Sequence, residues 1–226
     1  MNLTLLLHMS RRYELDESRA DVYPMVNYWI GKNESNLEKI RGIATLLYVW
    51  NVGYYSRAGK SFAVAVSNVE EVFNKPRFHN LLSSIKNLEL FNIDLKKHSK
   101  EITALYQCVH DVTGIGDTGT SKLLHLMQPQ LFVMWDEGIC NHYHKEHRLR
   151  NMWHKQGYDE CYLEFLKDMQ KEAKDLLTQS SKNQIKQGLF EISGYKKTIA
   201  KGLDEFNYMM FTVPQKKHNM KISKYL

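Results

Sequence analysis

The residues whose spacing points most clearly to chemistry lie in VHDVTGIGDTGTSKLLHLM, Val109 to Met127, where two glycines flank one apolar residue as Gly114-Ile115-Gly116. Glycine at both positions lets the backbone turn tightly, through positive φ if needed, and leaves no side chain between a ligand and the peptide groups. A helix ending at Thr113 and a second starting just past Gly116 make a hairpin, with Ile115 turned into the core as a plug. The second helix then offers unpaired amides and the positive end of its dipole, a site for a phosphate group. Thr118 and Lys122 follow on that helix. Thr120 is small enough for close helix packing, and Leu123, Leu124 and Leu126 supply core contacts. Without a ligand, the same glycines make an ordinary turn between helices.

Two other clusters carry chemical side chains. Leu46 to Arg57 brings Trp50, Asn51, Tyr54 and Tyr55 to the end of a helix, where the rings stack on a nucleobase or on one another in a core. Asn141 to His154 holds His142, His144, His147 and His154, but His142 lies to one side of the His144–His147 pair and no carboxylate completes the set. No metal is expected. Lys145, Arg148 and Arg150 instead suit a basic helix that meets phosphates. Lys96 to Glu101, and Lys196 with Lys197 and Lys201, read as solvated faces that extend the positive footprint.

Asp136 stands 20 residues after Gly116, at the end of Pro129-Gln-Leu-Phe-Val-Met-Trp135, with apolar Ile139 three positions further on. On its own it reads as a helix N-cap following a buried connector. Together with the hairpin, this segment of about 30 residues resembles the helix-hairpin-helix base-excision DNA glycosylases, the superfamily of endonuclease III and the adenine glycosylase MutY. The resemblance implies that Asp136 is catalytic, stabilising positive charge on the sugar and orienting or deprotonating a water as an N-glycosidic bond breaks. It implies nucleic-acid contacts from Gly114, Ile115, Gly116, Thr118, Lys122, Asn51 and Arg148, with Asn51 filling the gap left by an extruded base. The base pocket would hold Trp50, Tyr54, Tyr55 and Trp135. Bifunctional members carry a lysine where this chain has Thr118, so hydrolysis without strand cleavage is expected, with Lys122 one turn away as the only substitute. No cysteine follows Cys161, so no iron-sulfur cluster is expected, nor any other cofactor. The alternative is a nucleic-acid-binding protein that keeps the hairpin without the chemistry. DNA is the expected partner and RNA the second choice; a third reading makes the turn purely structural.

The elements that must position these residues are helical. Apolar residues recur at three-and-four spacing, broken by only four prolines, Pro24, Pro76, Pro129 and Pro214. Helices are predicted over 13–31, 33–55, 60–73, 77–90, 97–112, 117–128, 136–148, 158–178 and 195–210. Ser35 and Glu38 suggest a capping box, with Ile40, Ile43, Ala44, Leu47, Tyr48 and Asn51 sharing one face behind it. Asn74-Lys-Pro76 and Ser180 to Gln184 read as surface connections, and the basic segment from Gln215 to Leu226 as a mobile tail. The expected fold is an all-α, glycosylase-like unit over 1–226. Its helical core spans 33–135 with the hairpin at 109–127, and 1–32 plus 136–226 form a second subdomain across a cleft.

At 226 residues with 43% hydrophobic content the chain can fill its own core, and its formal +6 mildly favours a polyanionic partner. Cys108, Cys140 and Cys161 are too scattered for a zinc ribbon or a disulfide framework. The first residues lack the order of a secretory signal and no run reaches membrane-spanning length. A monomer in the cytoplasm or nucleoid, without a membrane partner, is expected.

Overall fold

Side-chain caps set many of the helix boundaries. Asn2 accepts from the Leu5 amide at 2.8 Å to start α1 (Leu3–Asp16), Thr198 accepts from the Lys201 amide to start α11 (Ile199–Asn207), and Pro76 occupies the first turn of α5 (Pro76–Ser84). The computed structural model describes residues 1–32, 35–51, 54–55, 59–146 and 158–214. Among them there are eleven α-helices and no strand, so the chain is all-α. The remaining helices are α2 (Val22–Lys32), α3 (Asn36–Trp50), α4 (Phe62–Phe73), α6 (Ser99–His110), α7 (Gly116–Met127), α8 (Glu137–Glu146), α9 (Tyr158–Gln179) and α10 (Lys182–Ser193). A single π-helical turn, Tyr208–Thr212, continues α11.

Several predicted boundaries are corrected. One helix over 13–31 becomes two, α1 and α2, because α1 ends at Asp16 and turns over 18–21 intervene. Ser180 to Gln184 is not merely a connection: Ser181 and Gln184 form a reciprocal capping box that starts α10. The box predicted at Ser35 is not formed, since Glu38 pairs with Arg41 at 2.9 Å and Ser35 makes no side-chain cap bond. The helix predicted over 77–90 stops at Ser84, and α6 stops at His110 where Thr113 was predicted. Arg148, Arg150, His147, His154 and 215–226 lie outside the described residues.

One apolar cluster runs through the helices. Within it α3 packs on α2, α4 and α7, α6 packs on α5, α7 and α9, and α1 lies against α10 and α11. The sharpest departure from sequence expectation is at Lys197 and Lys201, predicted to be solvated but only 3% and 0% exposed. Lys197 donates to Glu14 at 2.5 Å and Glu205 at 2.8 Å, and Lys201 donates to Asp204 at 2.6 Å. A buried ammonium is tolerated only where carboxylates meet it, and here Glu14 arrives from the far end of the chain.

Candidate active site

The turn between α6 and α7 takes the shape its glycines permit. Gly114 has φ +96° and Gly116 φ +62°, in the left-handed region that side chains disfavour, and a Cβ on Gly114 would stand 2.6 Å from Asn68 Nδ2. Ile115 between them is buried. Thr120 Oγ1 donates to the Gly116 carbonyl at 2.8 Å, which ties the turn to the helix it opens. An acidic residue, Asp117, shares that first turn. His110 Nε2 lies 3.0 Å from its carboxylate, and burial raises the Asp117 pKa against the pull of His110.

After α7 the chain is without helix or strand from Phe132 to Asp136, and it is buried as far as Trp135. No sheet satisfies its backbone, so side chains do. Tyr162 OH donates to the Val133 carbonyl at 2.7 Å, and Ser121 Oγ bonds both the amide and the carbonyl of Trp135 at 3.2 Å. His125 Nδ1 donates to the Phe132 carbonyl at 2.6 Å, which leaves Nε2 as the acceptor for Tyr23 OH at 2.8 Å. Burial holds the His125 pKa down at about 3, so the ring is neutral. Two of these straps belong to α7 itself, which places Asp136 at a fixed offset from the hairpin.

Asp136 caps α8, its Oδ1 accepting from the Ile139 amide at 3.0 Å and from Thr212 Oγ1 at 2.5 Å. Oδ2 has no protein donor among the described residues, and Asp136 lines a cavity of about 760 Å³. Gly138 permits this arrangement, because a Cβ there would stand 2.7 Å from the Thr212 backbone. The π-turn thus sits directly on the start of α8 and carries both Tyr208 and Thr212 to the cavity.

The structure gathers most of the predicted residues around this cavity. Gly114, Ile115, Gly116, Thr118, Asn51, Lys122, Trp50, Tyr54, Trp135 and Asp136 all line it. Lys122 is only 6% exposed; its Nζ donates to Asn51 Oδ1 at 2.6 Å and lies 5.5 Å from the Trp50 ring centroid. Asn51 therefore holds the amine as well as facing the cavity. Trp135 is largely core, packed edge-on against Tyr106 and Tyr162. Tyr55 departs from its predicted place: at 1% exposure it packs on Tyr48 and Tyr54 outside the lining, and burial pushes its pKa up to about 12. His142 stacks on Phe211 with centroids 3.5 Å apart. Among the described residues no group of three His, Cys, Asp or Glu is placed to hold a metal, and no helix is long and apolar enough to cross a membrane.

The opposite wall was not foreseen. Tyr13, Glu17 and Arg19 come from α1 and the turn after it, and Asp204, Tyr208 and Thr212 from α11 and the π-turn. Arg19 clasps Glu17 through Nε at 2.6 Å and Nη2 at 3.0 Å, while Tyr208 OH donates to the same carboxylate. Burial pushes the Glu17 carboxyl up, but these hydrogen bonds outweigh it and hold the pKa at about 2. Asp204 goes the other way, raised to about 6 because burial exceeds the opposing pull of Lys201. No local spacing signals this wall, since its halves are almost 200 residues apart. Comparison with protein-family models, curated proteins and solved structures finds no match.

Proposed function

We propose that the chain is a helix-hairpin-helix DNA N-glycosylase that draws one nucleobase out of a duplex and hydrolyses its glycosidic bond. On this reading the helices form a glycosylase-like pair of subdomains with the cavity in the cleft between them. The observation that carries it is Asp136, which lines the cavity with its carboxylate fixed through Oδ1 by a helix amide and Thr212, a short strapped link away from the hairpin. A carboxylate anchored by one oxygen is pre-organised to stabilise positive charge on the sugar and to take a proton from an attacking water. The cavity falls within the range of about 300–1,000 Å³ usual for small-molecule sites, enough for a base and its sugar. Gly114 and Gly116 expose the backbone at the start of α7 to a phosphate, and Trp50 and Tyr54 offer faces for stacking.

Asp136→Asn tests this reading cleanly, because asparagine is as good an N-cap and keeps the start of α8. Wild type is expected to release a base from at least one duplex in a panel of single lesions. The variant should lose about 10²-fold to 10⁴-fold in rate while duplex binding persists. Wild type that releases no base from the whole panel would overturn the reading, and binding without release would favour a nucleic-acid-binding protein.

A further inference from the structure

A second cavity, of about 560 Å³, shares no residue with the one that Asp136 lines. One face of α10 forms a wall, with Asn183, Lys186 and Phe190 at three-and-four spacing. Asn27 of α2 and Gln130, just past α7, stand on other sides. The volume falls within the range of about 300–1,000 Å³ usual for small-molecule sites.

Its charge has one sign. Lys186, Lys196 and Lys197 line it and no carboxylate does. Lys197 is committed to Glu14 and Glu205 inside the fold. Lys186 and Lys196 form no ion pair among the described residues, and Glu89, which pulls on Lys186, already takes the Lys182 ammonium at 2.6 Å. Burial and the neighbouring Lys182 push the Lys186 pKa down, as expected of an ammonium that lacks an anion. Thr198, the N-cap of α11, also lines the cavity and brings the positive end of that helix dipole to it.

The remaining lining is suited to a flat polar ring. Phe190 is 42% exposed, which leaves a ring face open to stacking. The side-chain amides of Asn27, Gln130 and Asn183 bond to no other group among the described residues, and each can both donate and accept.

We infer that this second cavity binds a mononucleotide: a phosphate monoester held by Lys186 and Lys196, with its base against Phe190 and the amides at the base edge. A phosphate monoester carries close to two negative charges at neutral pH, so a lining free of carboxylates favours it. The inference is independent of what Asp136 does in the first cavity.

Isothermal titration calorimetry of the intact protein with AMP, adenosine and inorganic phosphate tests it. AMP should bind at least about tenfold tighter than either of its parts. The double variant Lys186→Gln with Lys196→Gln should bring AMP down to the affinity of adenosine. Phe190→Ala should weaken AMP while leaving inorganic phosphate unchanged. None of the three side chains is buried, and circular dichroism melts that match wild type confirm that the variants keep the fold. Absence of AMP binding, AMP binding no tighter than phosphate, or AMP affinity unchanged in the double lysine variant would each overturn the inference.

Discussion

Two buried groups near the site titrate in opposite senses. His125 has its pKa held at about 3, so its neutral form stabilises the fold fully above the unfolded value near 6.5 and that contribution is lost as pH falls from there toward 3. Asp204, raised to about 6 by burial with Glu205 and Asp136 adding to it against the pull of Lys201, takes up its proton early, and the burden of its buried charge is relieved as pH falls through 6 toward 3.8. Between pH 6 and 4 the two slopes oppose, each by up to about 1.4 kcal/mol per pH unit. Urea melts should therefore show Asp204→Asn losing stability more steeply than wild type over this interval, and His125→Gln losing it less steeply. Identical slopes in all three proteins would mean that neither side chain is buried as described. Asp136 was legible in the sequence as the N-cap of a helix after a buried connector, and it does cap α8. Asp204 was not, because a lysine three residues before a carboxylate looks like any exposed helix until Tyr13 and Glu14 arrive from α1.

At the scale of elements, the hairpin turn is the part that sequence spacing captured best. Two left-handed glycines, a buried isoleucine and a small threonine each have a local mechanical reason to be there, so the pattern is visible without tertiary knowledge. Gly114→Ala meets both a strained φ and the Asn68 amide at 2.6 Å, whereas an alanine at Gly116 meets no atom within 4 Å. Thermal melts should show Gly114→Ala costing about 2–4 kcal/mol and Gly116→Ala about 1–2 kcal/mol, the backbone strain alone. Equal losses would show that Asn68 does not pack behind the turn. The start of α10 illustrates the opposite case, since serine, lysine and asparagine look like a loop until Gln184 is recognised as the partner of Ser181. The close fit of Gly138 against the π-turn depends on a segment 70 residues away and leaves no local trace.

The whole molecule carries a formal +6, which on the proposed reading favours a duplex as its partner. Duplex affinity should fall as salt rises, with a log–log slope of about −0.9 for each phosphate contacted, and Asp136→Asn should leave that slope unchanged. No affinity even at low salt would remove every nucleic-acid reading. The all-α class followed from apolar spacing and scarce prolines, which are properties of the chain as a whole. The way its two ends fold back to complete one wall is a long-range property, and nothing in the order of residues announces it.

The straps that tie Phe132 to Trp135 onto the hairpin helix divide labour within the site. The turn and Asp136 form one mechanical unit, held by Ser121 and His125, while Tyr13, Glu17, Asp204 and Tyr208 belong to elements drawn from the two chain ends. Substitutions at Tyr13, Glu17, Asp204 and Tyr208 can reshape the cavity without touching these straps, whereas Thr212 on the same wall bonds the Asp136 carboxylate directly. Variation at those four positions is therefore where a change in what the cavity admits would arise with the hairpin turn left in place.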